Sequence, residues 1–245
     1  LHVCRGSQLM ANYYVSSAGW SAVAQWQASY SYSVGDYVRQ RATPTFGNER
    51  VFKCTAAGTS GASEPSWTLT NGGNTTDSGV TWQQIAGREA EQAAANWKAP
   101  LATMDGLSIF SISAADTIFV SSDHSEAKGA ALTLSQAAGL VMSVKRGVGS
   151  SMPPIEADIQ NGAYIGTTGA SDMTLSLRYA HGITFETGVG SSGLASLTIS
   201  SASTILKDCN LSIATTSTSG RIFVGTSTSV TYSLWDNVKT KFAST

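Results

Sequence analysis

The succession of short apolar runs from residue 101 onward constrains the fold more than any other feature of this sequence. Gly, Ser, Thr, Asn and Asp separate the runs, and none has the period or length of a long helix. Short runs bounded by turn-forming residues predict β-strands. We predict strands over residues 107–112, 117–120, 131–134, 140–144, 163–165, 173–177, 183–185, 197–199, 205–206, 211–213, 221–224 and 231–234.

Two of these runs resemble each other, and their spacing indicates a solenoid. The segments ILKDCNL and SLWDNV place Asp208 and Asp236 at a separation of 28 residues, and a repeat in the twenties is the length of one coil. Asp and Asn tolerate a left-handed bend, and Leu206 and Leu234 are expected to stack inward. Residues 107–245 are therefore predicted to form a right-handed parallel β-helix of about five or six coils. A β-sandwich is the alternative, because the repeat is degenerate.

The composition agrees with a mainly β protein and excludes two classes of partner. Charged residues make up 13% of the chain, against about a quarter in ordinary globular domains, and small residues are abundant, as in stacked coils. The net charge of −1 supplies no basic field for nucleic acid. No apolar run approaches the roughly 20 residues of a transmembrane helix, so membrane insertion is not expected.

Residues 28–86 are predicted to form a separate small β domain. Tyr37 and Val38 alternate with polar residues, residues 50–54 read as a second strand, and residues 80–82 close the segment as a third. Gly and Pro mark the bends, which favours an antiparallel module. A module of this size has little core, so its aromatic side chains must supply most of the buried area.

Residues 1–27 are interpreted as an N-terminal arm. Tyr13 can begin a short strand, and Trp20, Val23 and Trp26 have the spacing of one or two helical turns. These aromatics either pack on the module that follows or dock on a neighbouring subunit, and packing is the favoured interpretation. The stretch before Met10 lacks the apolar core of a signal peptide, and residues 1–9 are as readily an upstream extension as part of the protein.

A connector helix is predicted over residues 87–100, ahead of the β-helix domain at 101–245. Glu89 and Glu91 lie in the first turn, Ala dominates the centre, Lys98 lies near the end and Pro100 is a stop signal. The small residues would also permit close packing around a three-fold axis.

The three cysteines indicate buried thiols rather than a disulfide framework. Cys4, Cys54 and Cys209 are odd in number and have no metal-ligand spacing. Free buried thiols fit assembly in a reducing cytoplasm.

The small module carries an ordered pattern of motifs: W…Y-x-V-G-D-x-V, then F-K-C-x-x-x-G-T-S-G-x-S-E-P-x-W, then D-x-G-V-T-W. This pattern resembles a repeat found in virion proteins of tailed bacteriophages, and its first half is similar to the chitin- and cellulose-binding modules of secreted glycosidases. The phrase D-T-I-F-V-S-S-D-H at 116–124, with residues 179–185, also resembles β-helical proteins encoded in tailed-phage genomes.

The resemblance implies a non-enzymatic structural protein on the virion surface, assembled in the host bacterial cytoplasm. It would be a head decoration or a fibre-like component that contacts other capsid or tail proteins and copies of itself, as a homotrimer. The alternative is a tail spike or fibre adhesin that binds host surface glycan, with or without cleaving it. No cofactor is expected.

Five aromatic residues are the candidate carbohydrate-binding residues, because a flat ring can stack on the C–H face of a sugar. In the similar carbohydrate modules, exposed aromatics on one face do this. Trp67, after the Glu64-Pro65 bend, is expected to be the most accessible. The five candidates are Trp26, Tyr32, Tyr37, Trp67 and Trp82.

Catalytic motifs are weak throughout the sequence. Glycoside hydrolysis needs two carboxylates at a defined separation, and the candidates are Asp123, Glu126, Glu156, Asp158, Asp172 and Glu186. Asp123, His124 and Glu126 form either an acid/base or metal cluster or, as we favour, a polar loop with a solvated His. His181 is interpreted as a turn histidine, and Lys145, Arg146 and Arg178 are too scattered to indicate a lyase. We predict no catalytic and no metal site.

Overall fold

The protein is described from a computed structural model over residues 10–92, 97–134, 140–147, 149–200, 203–216, 220–224 and 232–242, and it is mainly β with parallel sheets. Helical structure in these ranges is short: α1 (Ser17–Ser21) and the 3₁₀ helices Glu89–Glu91, Met104–Ile109 and Glu156–Asp158. The strands are β1 (Asn12–Val15), β2 (Ser31–Tyr32), β3 (Tyr37–Arg39), β4 (Val51–Ala56), β5 (Gly58–Thr59), β6 (Asn74–Asp77), β7 (Val80–Gln84), β8 (Thr117–Ser121), β9 (Ser125–Lys128), β10 (Leu132–Leu134), β11 (Leu140–Val144), β12 (Ala163–Thr168), β13 (Met173–Leu175), β14 (Tyr179–His181), β15 (Ile183–Val189), β16 (Ser196–Ile199), β17 (Ser203–Lys207), β18 (Asn210–Ile213), β19 (Arg221–Val224), β20 (Tyr232–Asp236) and β21 (Lys239–Phe242).

From β8 onward the strands enter three parallel sheets in rotation. The first sheet has the order β1-β8-β11-β14-β17-β20, the second β21-β18-β15-β12-β9, and the third β10-β13-β16-β19. Each strand therefore pairs with the strand three positions later in the chain, parallel to it. This topology places residues of successive passes side by side on each sheet.

The apolar core lies between the three sheets. Because alternate residues of a strand point to opposite faces, Ile118 and Leu206 of the first sheet, Phe185 of the second and Leu197 of the third all face inward and are fully buried. At about 25 cal/mol per Å² of apolar area removed from water, this stack of apolar side chains supplies most of the stabilisation of the sheets.

The N-terminal arm packs on both parts of the chain. Strand β1 pairs in parallel with β8, with Asn12 opposite Thr117, so it forms an edge strand of the first sheet. Trp20 packs on the small module: its ring lies 4.6 Å from the Arg39 guanidinium carbon, and its Nε1 donates to the Arg50 carbonyl at 3.2 Å. The packing interpretation of the arm aromatics is confirmed for Trp20, and Trp26 lies in the core of the module.

The small module is an antiparallel four-stranded sheet of order β3-β4-β7-β6, with the short pair β2–β5 beside it. The three strands predicted from its alternating pattern correspond to β3, β4 and β7. Strand β6 was not predicted, because its sequence Asn-Thr-Thr-Asp has no apolar residue.

The connector helix predicted over residues 87–100 is wrong in its length. Its described residues contain one short 3₁₀ helix, Glu89–Glu91, and residues 93–96 lie outside the described ranges. The Gly87 amide donates to the Ala99 carbonyl at 2.7 Å, whereas a straight helix of this length would separate its ends by about 18 Å. The Gln92 side chain bonds to both the carbonyl and the amide of Ala99, which also holds these two residues together.

The first strand predicted in the C-terminal region, 107–112, is also wrong. Residues Met104–Ile109 form a 3₁₀ helix instead, and its Met104 and Leu107 are buried against Leu101 in the core. The apolar residues of this segment cover the N-terminal end of the core. They do so from a short helix and not from a further strand of a sheet.

A bend with left-handed backbone recurs between the first and second sheets. His181 pairs with Lys207 and Lys207 with Asp236, so the residues that follow them, Gly182, Asp208 and Asn237, are equivalent, with φ of 73°, 51° and 51°. Asp208 is therefore equivalent to Asn237, 29 residues away, and not to Asp236.

Because the register differs by one residue, the prediction that Leu234 faces inward is wrong. Leu206 is buried, as predicted, but its partner in the next strand is Trp235, while Leu234 pairs with Ile205 on the outer face and is 53% exposed. Because side chains alternate between the two faces, a shift by one residue reverses the direction of every side chain in a strand.

The two described cysteines are free and buried, as predicted, and Cys4 lies outside the described residues. Burial raises the pKa of the Cys209 thiol from 9.0 to about 11. We expect native Cys209 to react with iodoacetamide at pH 8 at least about a hundredfold more slowly than in urea, because its thiolate is scarce.

Peptide mapping by mass spectrometry measures this difference, and a Ser192→Cys variant supplies an exposed thiol as the control. Since the unfolded thiol ionises first, the free energy of unfolding should also fall as the pH rises from 9.0 towards about 11. Fast labelling of Cys209 in the native protein would contradict the burial.

Candidate functional site

Three of the five candidate sugar-binding aromatics form the core of the small module. Trp26, Tyr32 and Trp82 are buried, and a buried ring has no face to offer to a sugar. Asp77 joins the two indoles: its Oδ2 accepts from Trp26 Nε1 at 2.7 Å and from Trp82 Nε1 at 3.2 Å, and its Oδ1 accepts from the Gly61 amide at 2.8 Å. For these three residues, the structure corrects the predicted binding role to a structural one.

Trp67 is half-buried, and its surroundings explain the E-P-x-W motif. Its ring stacks on Phe52, with centroids 4.1 Å apart, and its Nε1 donates to Glu64 Oε1 at 2.8 Å. The same carboxylate accepts from the Arg41 and Ala42 amides. The motif therefore fastens a loop to the sheet, and Trp67 retains only part of its surface for a ligand.

Tyr37 lines a cavity together with residues of the arm, including Gly19 and Val23. The cavity has a volume of about 400 Å³, and Trp97, Lys98 and Arg146 also line it. The Tyr37 hydroxyl donates to Glu91 at 2.8 Å. Burial and this hydrogen bond raise the pKa of Tyr37, so its hydroxyl remains a donor at neutral pH.

The six candidate carboxylates do not assemble in the described part of the chain. Asp123 is paired with Arg146, Asp158 accepts from the Ser151 and Ile155 amides, Asp172 accepts from the Ser196 amide, and Glu186 accepts from Tyr164 and Ser212. Hydrogen bonds from the backbone lower the pKa of Asp158, and burial with the bond to Glu186 raises that of Tyr164. Each carboxylate named here has its own partners and a role in holding a loop or strand.

His124 and Glu126 form a buried pair, so the predicted polar loop with a solvated His is wrong. Their side chains are almost fully buried, with His124 Nε2 3.4 Å from Glu126 Oε2. His124 Nδ1 accepts from the Ser17 amide at 3.0 Å, and Glu126 accepts from the Met104 amide at 2.9 Å. The pair thus joins the arm, the 3₁₀ helix at Met104 and strand β9.

The outer face of the first sheet carries the most site-like arrangement of polar groups. Tyr179 and His181 point outward on β14, and the Tyr179 hydroxyl lies 3.1 Å from His181 Nδ1. His181 Nε2 lies 3.0 Å from Asp208 Oδ2, and Asn237 Nδ2 donates to Asp208 Oδ1 at 2.5 Å. The bonds from Asn237 and His181 lower the pKa of Asp208. This series of hydrogen bonds links residues of successive strands at the bend. Such a series stabilises the stacking of one strand on the next.

A groove of about 320 Å³ lies beside this series of hydrogen bonds. One wall is the sheet, with Tyr179, His181 and Lys207, and the other is the segment between β11 and β12, with Ile155 and Glu156. The groove has a mainly apolar floor with a few polar groups at its edges, which is the composition of surfaces that bind a ligand or another protein.

Sequence reasoning interpreted His181 correctly as a hydrogen-bonded residue near a turn but missed the groove. The Tyr-Ala-His alternation shows that Tyr179 and His181 share a face. Their partners Lys207 and Asp208 come from the next pass of the chain, and no local pattern gives that register.

Comparison with family models, with curated protein sequences and with solved structures found no match to this chain. Within the described ranges, no group of three or more His, Cys, Asp or Glu side chains is placed to hold a metal ion. No helix among these residues has the length and apolar character needed to cross a membrane.

Proposed function

We propose that this chain is a non-enzymatic structural protein of a tailed-bacteriophage virion, displayed on the particle surface as a head decoration or a fibre-like component. The sequence motifs that resemble phage virion proteins suggest the class. The observation that carries a structural role is the use of the polar side chains: Asp77, the His124–Glu126 pair and Asp208 all hold parts of the fold together.

The finer fold that we propose is a right-handed parallel β-helix preceded by the small module. The rotation of successive strands through three parallel sheets supports it, as does the recurring bend at Gly182, Asp208 and Asn237. A stack of this kind satisfies its backbone hydrogen bonds between passes and uses small polar residues at its bends. It would serve as a stiff spacer, with the module anchoring it to the particle.

Electron cryo-microscopy of purified particles tests the proposal. Density on the capsid lattice, at symmetry axes or capsomer centres, is expected for a head decoration protein, and fibre-like density is expected for the other form. Peptide mass spectrometry of the same particles is the control for the presence of the chain. Absence of the chain from the particles would overturn the proposed function.

The alternative is a tail adhesin that binds host surface glycan, and the partial exposure of Trp67 and Tyr37 is the observation that favours it. A glycan array with the wild-type chain and Trp67→Ala tests this role, with Trp67→Phe as the control that keeps the stacking on Phe52. Binding that is lost only in Trp67→Ala, together with density at the tail tip, would replace the decoration role with the adhesin.

A further inference from the structure

The outer face of the first sheet is apolar along one row and is only partly covered. Leu140, Tyr179, Ile205 and Leu234 are aligned by the pairing of β11, β14, β17 and β20. The first three are half-buried, and Leu234 is 53% exposed. An aligned apolar row on the outside of a sheet is unusual unless another surface covers it.

The segment between β11 and β12 covers one end of this face and leaves the other open. Its Met152 and Ile159 pack on Phe119 and Val144, and the groove lies where this cover ends. At the edge of the groove Ile155 projects with 57% of its surface exposed. The same face therefore carries both an apolar projection and an apolar recess.

The two walls of the groove carry opposite charges. Glu156 lies on the wall formed by the segment, and Lys207 lies on the wall formed by the sheet. Within the described ranges, neither side chain takes part in the ion pairs of the chain. Each wall is therefore complementary to the opposite wall of a second copy, in charge as well as in apolar character.

We propose that copies of this chain associate through this groove and the open sheet face beside it, with Ile155 and Glu156 of one copy packed on the face that carries Lys207 and Leu234 in the next. In a closed symmetric assembly every subunit uses both halves of such a surface, which is why a second copy fits better than an unrelated protein. The inference deepens the proposed function, because it names the surface through which the copies of a virion protein would meet.

Analytical ultracentrifugation of the purified chain over a range of concentrations tests the interface. The wild type is expected to form a discrete oligomer. Glu156→Lys and Lys207→Glu should each weaken association on the order of tenfold, because each reversal places like charges together at every copy of the interface. The double variant Glu156→Lys/Lys207→Glu should restore association, a result that general destabilisation would not give.

Ile155→Asp tests the apolar half, with Leu194→Asp as its matched control, since Leu194 is similarly exposed at 53% but lies before β16. Ile155→Asp is expected to abolish association and Leu194→Asp to leave it unchanged, with both variants retaining the far-ultraviolet circular dichroism of the wild type. A wild type that is monomeric at all concentrations, equal effects of the two variants, or a double charge variant that stays dissociated would each overturn the interface. These results are independent of the particle experiment, so failure of the virion proposal is seen separately.

Discussion

Replacing Asp77 with alanine is expected to lower the free energy of unfolding of the small module by about 3–5 kcal/mol. The carboxylate is 4% exposed and accepts hydrogen bonds from the indoles of Trp26 and Trp82 and from the Gly61 amide. Its removal leaves three donors without this acceptor in the interior, and each buried unsatisfied donor costs about 1–3 kcal/mol. The same change opens space between two indole rings that make up much of the module core.

Urea unfolding followed by tryptophan fluorescence measures this effect. Asp36→Ala is the matched control, because Asp36 is exposed and accepts from the Ser33 amide in a turn, so its loss should cost less than about 1 kcal/mol. Asp77→Asn should fall between the two, since an amide has one acceptor oxygen instead of two. Equal midpoints for Asp77→Ala and Asp36→Ala would show that the indoles do not depend on this carboxylate.

Strands with regular alternation could be predicted from the sequence because their inward residues are apolar. In β15 and β16, for example, Ile183 and Phe185, and then Leu197 and Ile199, recur at every second position and are buried. A local pattern is sufficient in these strands, since the contribution of each inward residue to the core depends on its own apolar character.

A strand whose inward residue is polar could not be predicted from the apolar pattern. Strand β9 places Glu126 inward, where it is buried beside His124, and its sequence therefore looked like a solvent-exposed bend. The connector segment shows the converse: its Ala-rich composition favours a helix, but the bond between Gly87 and Ala99 brings its two ends together, which a continuous helix over these residues would not allow. In both cases contacts distant in sequence outweigh the local pattern.

The register between successive passes of the chain depends on contacts between residues distant in sequence. It determines which side chains of a strand face the core and which face solvent. The spacing of Asp208 and Asp236 predicted the length of the repeat to within one residue, but that one residue separates the inward Trp235 from the outward Leu234. Three of the five candidate aromatics, Trp26, Tyr32 and Trp82, are buried for a similar reason. The indoles of Trp26 and Trp82 both donate to Asp77, which lies 51 residues from Trp26, and a motif alone does not show whether its aromatic rings face outward.

Replacing Glu126 with alanine is expected to lower the free energy of unfolding of the whole chain by about 3–5 kcal/mol, because it breaks a buried pair by removing one partner. The Met104 amide would then lie in the interior without its acceptor, and His124 Nε2 would lose the carboxylate oxygen that lies 3.4 Å away. The loss would affect three segments together, since His124 also accepts from the Ser17 amide of the arm. We therefore expect the arm to exchange its amide hydrogens faster in this variant, even under conditions in which the remaining strands stay protected.

Hydrogen exchange followed by mass spectrometry, together with thermal unfolding, measures both effects. Glu186→Ala is the matched control: it also removes a carboxylate from a strand of the second sheet, but its partners are the hydroxyls of Tyr164 and Ser212, which are side chains at the outer face and not backbone groups of the arm. Glu126→Gln should lose less stability than Glu126→Ala, because its amide oxygen can still accept from the Met104 amide. If Glu126→Ala leaves exchange in the arm unchanged, strand β1 and not the buried pair holds the arm on the first sheet. The distinction matters for the proposed function, because the arm contacts both the small module and the stacked sheets and so fixes how one is presented by the other.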